Sequence, residues 1–248
     1  MSELDELARR VRAATSLLVL TGAGMSAESG VPTFRDAQTG LWARFRPEDL
    51  ATPEAFARDP KNVWNWYAWR RGMASSVAPH AGHRALAELE RQLGAQCTLV
   101  TQNVDGLHQR AGSQRVIELH GNILRTICSI TRQPIDEAWL AQHRGVDPPP
   151  SPHHPRGLAR PDVVWFGESL PEAALAEASQ AAGRCDLCLV VGTSSLVYPA
   201  AELPLVALAA GAWVVEINPE RTPHSGRVSQ RIEGTAARVL PALVVAGR

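Results

Sequence analysis

Two short apolar runs in this chain end in polar side chains capable of chemistry. Thr98-Leu99-Val100 gives way to Thr101-Gln102-Asn103-Val104-Asp105-Gly106-Leu107-His108. Val116-Ile117-Glu118-Leu119 gives way to His120-Gly121. Histidine changes charge near neutral pH, so His120 suits a general base. Gln102, Asn103 and Asp105 follow a strand-like run, and open α/β sheets bind ligands at the carboxyl ends of their strands. A lone histidine is more often structural. That reading loses weight here because Asn103, Asp105 and a glycine loop end similar runs.

The glycine loop is Gly22-Ala23-Gly24-Met25-Ser26-Ala27. It satisfies G-x-G-x-x-G/A directly after the run Leu17-Leu18-Val19-Leu20, a dinucleotide phosphate signature. Alone the signature is weak, since glycines after a strand often just make a tight turn. An ordinary dehydrogenase also places an acidic ribose ligand about 20 residues further on, after a second strand. Here the chain runs Gly30-Val31-Pro32-Thr33-Phe34-Arg35-Asp36 and then into tryptophan-rich sequence, so a dinucleotide would be bound in a non-standard way. Gly192-Thr193-Ser194 and Asn218-Pro219-Glu220 end two further apolar runs and suit ribose hydroxyls or phosphate. Each alone reads equally well as a cap or turn. Tyr67 and Arg70 stand three apart on one face of a helical stretch. A phenol and a guanidinium side by side can bind a carboxylate; the bland alternative is core packing for Tyr67 and a solvated charge for Arg70.

The elements that must position these groups follow from the apolar pattern. Runs at 17–20, 98–100, 116–119, 163–166, 187–191 and 213–217 have strand length and little polar alternation, as strands buried on both faces of a parallel sheet do. Helical stretches cover residues 3–13, His83 to Leu93 and Pro171 to Ala182. The expected fold is α/β: a Rossmann-like doubly wound parallel sheet, with a small second domain formed by two insertions. The large part would span about 1–35, 81–121 and 161–248, and the insertions about 36–80 and 122–160. The first insertion reads as helices without a strand. The second is dense in proline, from Asp147 to Pro155, which opposes regular helix and ladder pairing.

Composition narrows the function classes. The 248 residues carry 25 basic and 25 acidic groups, so no charge excess points to nucleic acid or a membrane surface. Glu3, Asp5 and Glu6 do not make a secretory leader, and no run reaches the roughly 18 to 20 apolar residues of a membrane span. A cytoplasmic protein is expected. Cys97, Cys128, Cys185 and Cys188 are too sparse for a disulfide framework.

Over nearly its whole length the chain resembles the sirtuins. The matching blocks are residues 22–35, 101–108, His120-Gly121, Val163-Val164-Trp165-Phe166-Gly167-Glu168, Gly192-Thr193-Ser194-Ser195 and Asn218-Pro219-Glu220, all in family order. The resemblance implies a protein-lysine deacylase that consumes NAD as co-substrate. The acyl group of a modified lysine passes to ADP-ribose, and nicotinamide is released. By the same resemblance His120 is the general base for a ribose hydroxyl, Asn103 and Asp105 hold the ribose and the nicotinamide amide, and Gln102 orients His120. Gly22, Ala23, Gly24, Met25, Val104, Gly192, Thr193, Ser194, Asn218, Pro219, Glu220 and Ala236 would line the dinucleotide site, with Phe34 and Arg35 on a loop that closes over it. Val163, Val164, Phe166, Gly167 and Glu168 would pair with the substrate peptide as an added strand. Tyr67-x-x-Arg70 resembles the sirtuin class that removes succinyl and malonyl groups. The implied partners are proteins or peptides bearing acyl-lysine.

The chain departs from the family at the structural zinc. Of the usual two Cys-x-x-Cys pairs only Cys128 remains; Thr131, Ser151 and His154 stand at the other places. A closed zinc site requires four ligands. Cys185 and Cys188 sit in or beside an apolar run and read as buried structural residues. Asp147, His153 and His154 around Cys128 are a weaker possibility, so no structural zinc and no other metal is expected. Rival readings are a protein ADP-ribosyltransferase, a noncatalytic NAD- or ADP-ribose-binding module, and a redox dehydrogenase. The complete set Gln102, Asn103, Asp105 and His120 argues against mere binding.

Overall fold

Apolar residues that bury both faces of a strand need helices on both sides of the sheet, and this chain supplies them. A computed structural model describes residues 3–31 and 47–244. In chain order the regular elements are α1 (Glu3–Ala13), β1 (Leu17–Thr21), α2 (Gly24–Ala27), α3 (Pro47–Leu50), α4 (Pro53–Arg58), α5 (Pro60–Ser76), α6 (Ala81–Leu93), β2 (Cys97–Thr101), α7 (Leu107–Arg110), β3 (Val116–Glu118), β4 (Gly121–Cys128), α8 (Glu137–Gln142), β5 (Ala159–Val163), α9 (Glu172–Ala182), β6 (Leu187–Val191), α10 (Leu203–Ala209), β7 (Trp213–Ile217), β8 (Gln230–Ile232) and α11 (Ala236–Val239).

Six strands form one sheet in the order β3-β2-β1-β6-β7-β8, parallel throughout. The chain leaves β1 toward β2 and β3 on one side and returns beyond β1 to lay down β6, β7 and β8 on the other. The switch point therefore lies between β1 and β6, where the crevice of a doubly wound fold opens. Every residue of both strands is buried. One face of the sheet packs against α1, α6 and α11 through Leu7, Leu86, Leu89 and Val239. The other packs against α9 and α10 through Ala178, Ala182, Leu203 and Ala207.

A second apolar cluster stands apart from the sheet. β4 and β5 pair antiparallel as a two-stranded ribbon. Against it pack α4 and α5, with Trp66, Tyr67, Ile123, Val163 and Trp165 in contact. The helices begin where the sequence says they should. Thr52 and Asp59 accept the N–H of Ala55 and Asn62, each followed by proline at the first helical position.

Two expectations fail in detail. The run 163–166 is not a strand of the parallel sheet; β5 ends at Val163, pairs with β4, and the chain then turns at Phe166–Gly167. An apolar run alone does not say which layer buries it, and here α5 does. The sixth parallel strand is instead β8, Gln-Arg-Ile, an edge strand too short and polar to announce itself. Residues 122–160 also hold more regular structure than their prolines suggested, because the prolines cluster between α8 and β5 while β4 precedes them. Among the described residues no helix is long and apolar enough to cross a membrane.

Candidate active site

The switch point is built by glycines packed against each other. Gly22 N–H donates to the Val191 carbonyl (3.1 Å), and Gly24 N–H to the Gly192 carbonyl (2.7 Å). A Cβ on Gly22 would lie 2.8 Å from Thr193 Cα; one on Gly192, at φ +59°, would lie 2.4 Å from Met25 N. The glycines thus let two loops cross at backbone contact, whatever else they admit. α2 is a single turn. Ala23 is exposed beside it, whereas the Met25 side chain is fully buried in the core, so only its backbone remains for a ligand. Asn218 Nδ2 donates to the Thr193 carbonyl (2.9 Å), tying the end of β7 to the same loop, with Pro219 and Glu220 exposed beyond it. Ser194 is half-buried on that loop. The Ala236 side chain is buried in the core, and the neighbouring Ala237 N–H donates to Glu28 (2.9 Å).

The β2 and β3 ends bring up the polar set. Gln102 Nε2 donates to Thr193 Oγ1 (3.1 Å), and its carbonyl lies 3.2 Å from His120 Nδ1. A carbonyl only accepts, so this contact puts the proton on Nδ1 and leaves Nε2 with its lone pair. Burial pushes the His120 pKa down, and the bond to Gln102 opposes that shift. The imidazole is therefore an uncharged, oriented base. Gln102 orients it through the main chain, not through its amide.

Asn103 Nδ2 donates to Ser26 Oγ (3.0 Å), across from β2 to α2. Asp105 accepts the Leu107 N–H (2.9 Å); burial raises its carboxyl pKa against that bond.

Behind this set lies a feature that the sequence pattern did not single out. His80, His83 and His108 lie in a row, their rings tilted against one another with centroids 4.2 and 5.0 Å apart. His80 caps α6 through Gly82 N–H (2.9 Å) and reaches the Met25 carbonyl (2.6 Å). His83 approaches Ser26 Oγ (3.5 Å), and His108 Nε2 lies 2.9 Å from Thr21 Oγ1. Burial, then repulsion of its imidazolium form by the charged forms of His108 and His80 and by Arg84, lowers His83 to about 2; burial likewise lowers His108 to about 4. The signal was the pair His80-x-x-His83 at a helix start, adjacent on one face.

A cavity of about 210 Å³ joins the two clusters. His120, Gln102 and Val104 line its floor; Tyr67, Arg70, Val163, Val164, Phe166, Gly167 and Glu168 are among its walls. The two residues of α5 and the base, fifty residues apart in sequence, thus face one space. The Tyr67 hydroxyl and Trp165 indole N–H are buried without a hydrogen-bond partner among the described residues. Burial pushes Tyr67 up to about 12, against the pull of the Arg70 charge. Burial lowers Arg70 in turn. The N–H groups of Val164, Phe166 and Glu168 are bonded to His120, Ala51 and Trp165 within the chain. Phe34 and Arg35 lie outside the described residues.

At the remnant metal position, Cys128 Sγ accepts N–H groups of Ile130 (3.5 Å) and Thr131 (3.4 Å). Burial alone would raise its pKa; bonds from Ser151 and Thr131 outweigh that and bring it to about 7. His153 Nε2 meets the Pro134 carbonyl and His154 Nδ1 the Arg156 N–H, so neither ring nitrogen in these contacts is directed to the sulfur. Among the described residues no group of three or more His, Cys, Asp or Glu is arranged to hold a metal. Cys185 and Cys188 are buried and unbridged.

A doubly wound sheet with a glycine crossing at its switch point, and an oriented imidazole at the neighbouring strand end, defines a nucleotide-using α/β enzyme. The comparisons with known proteins make this specific. The Sir2 family profile matches residues 22–199. An NAD-dependent protein deacylase of Thermus thermophilus is 50% identical over 251 residues, covering 97% of this chain and 96% of that protein. The crystal structure of a Sir2 homologue–NAD complex superposes with a TM-score of 0.88 at 43% identity, covering 97% of this chain and 92% of that one. A Sir2 variant bound to a deacetylated p53 peptide and 3'-O-acetyl ADP-ribose gives a TM-score of 0.86 at 31% identity, covering 99% of both chains. This chain belongs to the Sir2 family.

Proposed function

We propose that this protein is an NAD-dependent protein-lysine deacylase with His120 as its general base. The observation that carries the assignment is the His120 imidazole, its Nδ1 proton bound to the Gln102 carbonyl and its ring lining the cavity that Tyr67 and Arg70 also line. Ser195 Oγ, orphaned and buried on the loop that follows β6, fits a ligand rich in hydroxyl and amide groups. NAD, when bound, supplies the ribose carbon that takes the acyl oxygen and the nicotinamide that leaves.

The chain's own residues do the rest. The crossing loops at Gly22–Gly24 and Gly192–Ser194, with Asn218, Pro219 and Glu220, hold the dinucleotide. Asn103 and Asp105 hold the ribose and the amide. His120 Nε2 takes the proton of a ribose hydroxyl; the Gln102 carbonyl then stabilises the imidazolium, because the Nδ1–H bond persists and strengthens with charge.

The acyl group is read at the far end of the cavity. Tyr67 and Arg70 bind the terminal carboxylate of a succinyl or malonyl group. An unpaired buried donor costs about 1–3 kcal/mol, and a carboxylate would satisfy the Tyr67 hydroxyl while pairing with the Arg70 cation. Phe166, exposed at the mouth, and Gly167 meet the peptide. The two insertions, about 36–80 and 122–160, act as the second domain, which carries Tyr67 and Arg70. Around Cys128 that domain is held by hydrogen bonds to sulfur in place of a metal. Four buried free cysteines suit the reducing cytoplasm.

The test is nicotinamide release from NAD by the purified protein, offered acetyl-, malonyl- and succinyl-lysine peptides. Release that depends on acyl peptide supports deacylation, and preference for the acidic groups that falls selectively in Arg70→Met supports the carboxylate site. Equal loss on acetyl-lysine makes Arg70 structural. ADP-ribose left on protein, with no acyl dependence, sinks the deacylase reading.

A further inference from the structure

An acidic residue also lines the cavity that Arg70 lines. Glu168 is part of its wall, with His120, Tyr67 and Arg70. Left uncompensated, that charge would repel the carboxylate of an acidic acyl group and oppose its attraction to Arg70. The structure compensates it from behind. Arg160 is 3% exposed. Its Nη1 and Nη2 grip both Glu168 oxygens at 2.7 and 2.9 Å. Nη2 also donates to the Val163 carbonyl (2.8 Å), and the guanidinium lies 3.3 Å over the Trp165 ring. The second Glu168 oxygen accepts the Trp165 N–H as well (2.9 Å), which locks the turn carrying the wall. Arg132, 3.4 Å from Glu168, is half-exposed and adds little. The fields of Arg70, Arg160 and Glu168 all reach the Tyr67 hydroxyl, the first two opposing the third.

We infer that Arg160 is a specificity-determining residue: by neutralising Glu168 in the acyl cavity, it lets that cavity admit acyl groups ending in a carboxylate. The inference rests on the reading of Tyr67 and Arg70 as a carboxylate site. It differs from a purely structural role in a definite way. Arg160 never touches the acyl group, yet its charge decides between acidic and neutral acyl groups. Two unit charges about 8–12 Å apart at an effective dielectric of about 20 change binding roughly thirtyfold to tenfold.

The readout is the ratio of kcat/KM for succinyl-lysine over acetyl-lysine peptide, which cancels a general loss of activity. Arg160→Met is expected to lower the ratio about tenfold, because Glu168 is unmasked. Arg160→Met/Glu168→Gln removes both charges together, which folded proteins tolerate better than removing one, and should return the ratio to within about threefold of the parent. Glu168→Gln, which leaves Arg160 uncancelled, should raise it; this variant decides the matter if Arg160→Met fails to fold. An unchanged ratio in Arg160→Met, or in Glu168→Gln where the former does not fold, overturns the inference, and so does a ratio that stays low in the double variant. If Arg70→Met lowers the ratio and Arg160→Met does not, only this inference fails. If the parent turns over no succinyl peptide, or Arg70→Met leaves the ratio unchanged, the carboxylate site fails and this inference falls with it.

Discussion

Acidification from pH 7 to pH 5 should destabilise this protein through two buried histidines. His83 and His108 are 0% and 1% exposed. Their pKa values stand at about 2 and about 4, chiefly because burial disfavours the imidazolium. In the unfolded chain both titrate near 6.5. Both folded values are depressed, so the stability they confer is complete above about pH 6.5 and is lost as pH falls from there toward the folded values. At pH 5 the unfolded state binds protons that the folded state refuses, over about 1.5 pH units for each ring. At 1.36 kcal/mol per unit this is about 2 kcal/mol for each histidine and about 4 kcal/mol for the pair. His120, also lowered by burial, adds in the same direction, and Asp105, raised by burial, opposes it. For a chain this long, 4 kcal/mol corresponds to a fall in Tm of about 8–16 °C. Carboxylates whose pKa is depressed lose their contribution mainly below this window, so they do not mimic the effect. The assay is thermal unfolding followed by circular dichroism at half-unit steps of pH, on the parent, His83→Asn, His108→Asn and the double variant. Each substitution should flatten the curve by about half. A parent Tm that moves less than about 3 °C, or variants with the parent's slope, would refute the argument that these rings are held neutral.

Three further outcomes are expected. His120→Ala should abolish acyl-dependent nicotinamide release while NAD still binds, measured by calorimetry; retained turnover removes His120 from the base role. Because burial lowers the His120 pKa, its base form survives below the ordinary histidine value, so the acid limb of kcat/KM should fall at a pH below about 6.5; a limb at or above 6.5 contradicts the environment described. Gly192→Ala should cost about 2 kcal/mol or more and weaken NAD binding, since its Cβ would stand 2.4 Å from Met25 N at φ +59°; a variant with unchanged melting and affinity would mean that the loop crossing yields easily.

The order of residue types along the chain was enough to reveal the chemistry at the strand ends and the nature of the sheet. Strands such as Leu17–Thr21 and Leu187–Val191 are apolar on both faces, and that pattern has few solutions besides a covered parallel sheet. Polar residues following such strands must emerge at one edge, which is why Gly22, Gln102, His120 and Gly192 could be named in advance. Helices in the first insertion were expected, but their starts at Thr52-Pro53 and Asp59-Pro60 were not read from the sequence. Local chemistry could not say which layer would bury the run at 163–166, nor that Gln230–Ile232 would complete the sheet, because an edge strand borrows its order from the neighbour it pairs with. Nor could it say that Glu168, read as a substrate contact, would be held by Arg160. The histidine row and the shared cavity were equally hidden. His83 reaches His108, and Tyr67 reaches the space beside His120, only after α5 and α6 pack onto other elements. Burial, which makes those rings neutral and leaves the Tyr67 hydroxyl unpaired, is a property of what surrounds a residue, and that is decided by contacts distant in sequence.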